Sequence, residues 1–204
     1  MTEVLHAARH ALAVLLVVSI PAAILYWYLI HPFVGFWRRR GPAVTYVVVG
    51  MVCVALMAAL LPWRSVLLGD PWPFSWPLAV VGLLLYGAAL ALEIACRRHL
   101  RFSVLAGTPE LSREDPGRLL TEGIYGRTRN PRYLAILVAL LAFALILNYP
   151  GLYALWALSV PALYLVIFLE ERELAERFGA EYRRYVERVP RLLPRPRRSD
   201  GART

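Results

Sequence analysis

The chain has 204 residues, 59% hydrophobic and 18% charged, with a net charge of +9 and a mean hydropathy of +0.52. A soluble domain carries about a quarter charged residues, so this balance excludes an ordinary soluble fold, and a disordered chain still more firmly. The 23 basic residues are all arginine, and no Gly-x-Gly or CxxC spacing occurs, which excludes a P-loop lysine, Schiff-base chemistry, a dinucleotide fingerprint and a two-cysteine zinc or redox motif.

Five apolar runs predict five membrane helices, because lipid cannot satisfy an exposed backbone. The first covers residues 11–30 and contains Pro21. It is read as a retained helix rather than a cleavable leader, since only Arg9 offsets Glu3 ahead of it and the apolar run continues to Ile30. The second and third cover 43–61 and 77–96. The fourth, 133–147, has 15 residues, or about 22 Å at 1.5 Å per residue. The fifth, 152–169, contains Pro161. Asn148-Tyr149-Pro150-Gly151 reads as a tight turn, making the last two helices an antiparallel hairpin.

Arginine sets the orientation. With five spans, one side holds Arg9 and Arg64, whereas the other holds the remaining 21 arginines. The positive-inside rule then puts the N-terminus outside and the C-terminal tail in the cytosol of a multi-pass protein, with a bacterial inner membrane as the expected location. Topology and attraction to anionic lipid account for the surplus charge, so the bilayer is the expected partner and nucleic acid is not. Trp63, Trp72 and Trp76 suit an outer aromatic belt, and Trp27 and Trp37 an inner boundary. Glu3, His6 and His10 share a helical face, but a mobile terminus is a poor metal site and no metal is expected. Glu93 and Arg97, at i and i+4, are expected to form a local ion pair.

Two cytosolic segments are too elaborate for a plain anchor. The loop 97–132 has turn signals at Gly107-Thr108-Pro109 and Asp115-Pro116-Gly117. It ends in Arg129-Asn130-Pro131-Arg132-Tyr133, where Pro131 suits the first turn of the fourth span. Asn130 takes the N-cap position, beside amides free to receive a carboxylate. The tail opens with Glu170-Glu171, two carboxylates at a membrane boundary that require water, a cation or hydrogen-bond donors. Leu174, Phe178, Tyr182, Tyr185 and Val189 then recur at helical spacing, predicting an amphipathic helix over 171–189, weakened at Gly179 and ended by Pro190. Standing alone, such a stripe describes a helix lying on the headgroups.

The stretch from Leu119 to Tyr133, with Gly123, Tyr125, Arg129, Asn130 and Pro131, resembles the cofactor motif of the isoprenylcysteine carboxyl methyltransferases and related phospholipid methyltransferases. A second block is similar too: Glu170-Glu171-Arg172-Glu173-Leu174, Phe178-Gly179-Ala180-Glu181-Tyr182, Tyr185, Arg188-Val189-Pro190 and Leu193-Pro194. The resemblance covers about residues 117–195, and the first three spans match only as generic membrane helices. It implies an all-α integral membrane enzyme that uses S-adenosylmethionine without a Rossmann domain. Residues 1–96 would be a three-helix scaffold, 97–195 the cofactor-binding part, and 196–204 a disordered basic tail.

Carried over by motif, Leu119, Leu120, Tyr125, Asn130, Pro131, Tyr133 and Glu170 line the cofactor site. Arg129 is a candidate clamp for an acceptor carboxylate, and Glu171 is the nearest proton acceptor for an amine. Asn130 stands where many members have histidine, and Ala135 where glycine is frequent. Val166 stands four residues before Glu170, where prenylcysteine-using members carry an arginine. The implied reaction moves a methyl group to a lipophilic or amphipathic acceptor: an isoprenylcysteine-type carboxylate or related group, with a phospholipid amine as the alternative. A non-catalytic membrane scaffold is the alternative outside enzymes.

Overall fold

A computed structural model of the chain describes residues 2–98 and 119–193. The turn signals at 107–109 and 115–117, and the tail 196–204, lie outside the described residues. Those described form helices, 3₁₀ turns and short connections, with no strand among them. Helix α1 (Thr2–Ile30) runs through Pro21 and passes by a 3₁₀ turn to the short α2 (Val34–Arg40). Gly41 then turns the chain at φ +85° into α3 (Pro42–Leu60), which begins on a proline. A second 3₁₀ turn leads to α4 (Arg64–Leu68), and α5 spans Trp76–Arg97. After a 3₁₀ turn at Gly123–Gly126 come α6 (Pro131–Leu147), α7 (Pro150–Phe178) and α8 (Ala180–Arg188).

Four of these helices, α1, α3, α5 and α7, are long and apolar enough to cross a membrane. The fifth apolar helix, α6, has 17 residues, about 25 Å of rise against a hydrocarbon layer of about 30 Å. α5 packs along it and α7 returns beside it. Apolar side chains on the outer faces stay exposed, among them Val47, Met51 and Val54 on α3 and Leu83 and Leu84 on α5. A helix that is apolar all round and half unburied is suited to lipid.

Close backbone approach fixes the packing of the hairpin. A Cβ on Gly82 would lie 2.6 Å from Ile146 Cγ1 and 2.8 Å from the Ala142 carbonyl, so α5 and α6 touch where no side chain intervenes. Gly151 is tighter still, with a Cβ falling 1.9 Å from the Leu67 carbonyl oxygen and 2.7 Å from Leu68 Cα. Both neighbours are backbone and cannot rotate away. Gly151→Ala is therefore expected to lower stability by about 2 kcal/mol, the usual scale of overpacking; an unchanged melting midpoint in detergent would show that α4 is not seated on α7.

The turn between α6 and α7 is tight, as expected, and Asn148 makes it so by adopting the left-handed conformation at φ 52°. Its amide donates to Ala144 O at 2.8 Å and its side chain to Pro73 O at 2.8 Å. Buried Arg9 seals the same end of the bundle: its guanidinium donates to the carbonyls of Leu147, Trp72 and Asn148 and sits 5.1 Å over the Tyr149 ring. His10 hydrogen-bonds the Tyr149 hydroxyl at 3.3 Å. Beneath this cap, Ala13, Val17, Leu68, Ala144, Leu147 and Leu152 form one buried cluster.

Two elements differ from expectation at the opposite end. The last span and the amphipathic helix are not separate at Glu170: α7 continues unbroken to Phe178 over 29 residues. At about 44 Å it outreaches the hydrocarbon layer, because after Pro161, which the helix accommodates, no proline or glycine follows until Gly179, which bends the chain at φ +54°. Nor does α8 lie open to headgroups. Its apolar face, Tyr182 and Tyr185, is buried with Leu119 and Val189 against Leu174, Ala175 and Phe178. The Glu93–Arg97 pair forms at 2.9 Å.

Candidate active site

The extension of α7 carries four carboxylates; Glu176 pairs with Arg172 at 3.1 Å on the exposed face, and the other three face different partners. Glu173 holds the N-terminal helices, accepting from Arg38 Nη2 at 3.0 Å and lying 3.3 Å from His31 Nδ1. His31 stacks on Trp27 with ring centroids 5.4 Å apart, and the Arg132 guanidinium lies 5.8 Å over the other residue of that stack, Trp27.

Glu171 is buried and fully engaged. Its Oε1 accepts from Arg129 Nε and Asn130 Nδ2, both at 3.0 Å, and its Oε2 from Arg191 Nε at 2.9 Å and Arg129 Nη2 at 3.3 Å. Four donors fill the roughly four acceptor sites of a carboxylate, and three of them belong to the permanently charged guanidinium groups of Arg129 and Arg191. The remaining nitrogen of Arg129 donates to Val186 O at 3.1 Å and Val189 O at 3.2 Å, tying the clasp to the end of α8. Such a carboxylate has its lone pairs committed to holding Arg129, Asn130 and Arg191 in place.

Glu170 is half-buried on another side of the helix. Among the described residues its hydrogen bond comes from the Tyr133 hydroxyl, 2.6 Å from Oε2. Acceptor capacity therefore remains for a ligand. Tyr125 lies close enough to feel the Glu170 charge, and its phenol hydrogen-bonds the Cys96 thiol at the end of α5. Burial foremost, then Cys96 and the Glu170 carboxylate, hold the Tyr125 phenol well above its ordinary range. Burial likewise pushes Tyr185 up to about 12, and Tyr182 is raised by burial and next by the Glu171 charge. All three phenols stay protonated near neutrality, and Tyr185 donates to Tyr125 O at 2.7 Å.

The bend between these groups is a small backbone pairing. Arg129 N donates to Pro190 O at 2.9 Å, and Asn130 N to Arg191 O at 3.2 Å. Thr128, fully buried, donates its hydroxyl to Leu192 O at 2.8 Å. Pro131 opens α6 as expected. Asn130 occupies the N-cap position but makes no capping bond: its side chain is drawn to Glu171 and to Arg191 O at 3.1 Å, because a buried carboxylate outcompetes a neutral amide.

Arg129, Asn130, Pro131, Tyr133, Glu170, Glu171 and Tyr125 are thus gathered at one end of the bundle. Leu119 lies apart, beneath the tyrosines of α8, with Leu120 half-buried next to it. Val166 is fully buried between Leu163 and Ile167, packed with Tyr133, Trp27 and Tyr28. Sequence reasoning missed Thr128, Tyr164 and Arg191. Arg191 stands inside the quoted tail block, directly after Pro190, and only that proximity signalled it.

Comparison with known proteins places this end in context. The phospholipid methyltransferase family matches residues 78–181, half of the chain, from α5 to the first residues of α8. Methanethiol S-methyltransferase 1 of Bradyrhizobium diazoefficiens is 38% identical over 79 residues, which cover 39% of this chain and 27% of that protein. The match thus spans about a quarter of the relative's length. No solved structure matches. The matched segment contains Tyr125, Asn130, Tyr133 and both adjacent glutamates, and the chain belongs to the phospholipid methyltransferase family.

Proposed function

We propose that the protein is a multi-pass membrane methyltransferase that transfers a methyl group from S-adenosylmethionine to a lipophilic or amphipathic acceptor, with its N-terminus outside and the 119–193 end on the cytosolic side of a bacterial inner membrane. The observation that carries the proposal is the convergence of the 125–133 bend on Glu170 through the 2.6 Å bond from Tyr133. The donor set fits such a molecule. Glu170 offers carboxylate oxygens for its hydroxyl or ammonium groups, and protonated Tyr125 and Tyr133 offer hydroxyl donors and aromatic faces. When bound, the donor supplies an activated methyl on a sulfonium. The chain's task is then alignment and exclusion of water, which the Glu171 clasp serves by fixing Arg129 and Asn130.

For the acceptor, buried Val166 supports a group that needs no cationic clamp, a thiol or an amine, over an isoprenylcysteine-type carboxylate. The relative named as a methanethiol S-methyltransferase favours the thiol. Arg129 as a carboxylate clamp is the weaker reading, because its donors are already committed to Glu171 and the α8 carbonyls. A thiol reacts by forming a new sulfur–methyl bond as the donor's carbon–sulfur bond breaks, and its proton passes to water at the cytosolic boundary. Labelled-methyl transfer by protein in nanodiscs, screened over thiols, phospholipid amines and prenyl acids, tests the proposal. Incorporation into thiols above the other classes is expected; no incorporation into any class would leave the scaffold reading.

A further inference from the structure

Arg191 lies outside the segment shared with the family, yet it belongs to the densest polar network among the described residues. Its side chain makes two ties in different directions. Nε donates to Glu171 Oε2 at 2.9 Å, inside the clasp, while Nη1 donates to the Tyr164 hydroxyl and the guanidinium lies 5.1 Å over the Tyr164 ring. Tyr164 sits two turns back along α7 and is 48% exposed on its outer face, the side that meets lipid in a spanning helix. The backbone of the same residue makes a third tie, since Arg191 O accepts from Asn130 N, Asn130 Nδ2 and, at 3.3 Å, the Thr128 hydroxyl. Flanking carbonyls of Pro190 and Leu192 accept from Arg129 N and Thr128. Leu192 itself packs onto the cluster of Tyr133, Leu163 and Val166. The strap 189–192 contains no helix or strand of its own, so its bonds to the 128–130 bend and the anchorage of the Arg191 side chain together fix its position.

We propose that Arg191 is a positioning residue: by pinning the strap between Glu171 and the bilayer-facing Tyr164, it holds the 128–133 bend in the shape that presents Tyr133 and Glu170 to the methyl donor. This rests on the donor site proposed above. The role is exerted through the bend and calls for no contact with acceptor or methyl group. The guanidinium geometry matters, because a carboxylate and a phenol are met at once by a planar fork that also stacks on the ring.

The test uses full-length protein in nanodiscs and compares Arg191→Gln, Arg191→Lys and Tyr164→Phe with the native chain. S-adenosylhomocysteine, the demethylated donor product, serves as the calorimetric probe. Loss of a charge-assisted bond to a buried carboxylate predicts roughly tenfold weaker binding for Arg191→Gln, with turnover at saturating donor retained. Arg191→Lys recovers part of the loss, and Tyr164→Phe, which removes one hydroxyl on an outer face and should fold, costs about two- to threefold. Hydrogen exchange at the Arg129 and Asn130 amides supplies a readout independent of the ligand. Both amides accelerate in Arg191→Gln if the strap releases them. Unchanged exchange, or a fall in turnover with product affinity intact, overturns the proposal. Should the native protein give no heat with the probe, the donor reading fails, and the exchange result still decides whether Arg191 holds the bend.

Discussion

Glu171→Ala is expected to destabilise the protein by about 3–5 kcal/mol, the cost of removing one partner from a buried ion pair. The Arg129 side chain is only 7% exposed, and its carboxylate partner 9%, so the guanidinium left behind cannot recover water. It would still donate to Val186 O and Val189 O, both neutral carbonyls. Asn130 and Arg191 would lose an acceptor in the same step. Glu171→Gln, which keeps one acceptor oxygen while losing the charge, should cost about half as much. Thermal unfolding in detergent reads this directly. A loss below about 1 kcal/mol for the alanine variant, the scale of an exposed pair, would mean that the clasp is solvated.

Arg9→Met should cost about 3 kcal/mol, through the loss of hydrogen bonds from a charged donor to three carbonyls at the end of the bundle. Methionine retains bulk but no donor, so the Leu147, Trp72 and Asn148 carbonyls are exposed at the edge of an apolar bundle. The positive end of the side chain also opposes the negative end of α6, which terminates at Leu147. Unfolding midpoints of Arg9→Met and Arg64→Met make the comparison. Arg64 is exposed and donates to one carbonyl, Leu61 O, so its variant should be nearly neutral. Equal shifts would contradict the assigned role.

The contrast between Arg9 and Arg64 shows how far the sequence is legible. Both count equally in a tally of arginines by side, which needs only the chain order of the spans. That one is a buried cap follows from carbonyl partners 63, 138 and 139 residues away in sequence, which no local pattern encodes. The apolar runs were readable because lipid demands long uninterrupted helices, and the α6–α7 turn was readable because Asn148 and Pro150 are local turn residues. The length of α7 was obscured by chemistry: Glu170 and Glu171 mark a change of solvent, and a change of solvent does not end a helix.

Glu170 and Glu171 carry the same lesson into the site. Neighbours on a helix point about 100° apart, so two adjacent carboxylates cannot share one task. The motif names both but cannot say which faces the arginines. The structure turns Glu171 toward Arg129, Asn130 and Arg191, and Glu170 toward Tyr133. Asn130 stands at the head of α6 as expected, but the carboxylate that claims its side chain comes from 41 residues further along, which no local pattern shows.

The division of labour between the two glutamates is the centre of this account, and calorimetry with S-adenosylhomocysteine on the native protein and on Glu170→Gln tests it most directly. Measurable heat is expected for the native chain and at least about tenfold weaker binding for Glu170→Gln, with an unfolding midpoint close to native because Glu170 takes no part in the clasp. Equal affinity in both proteins would remove Glu170 from the donor site and contradict the account.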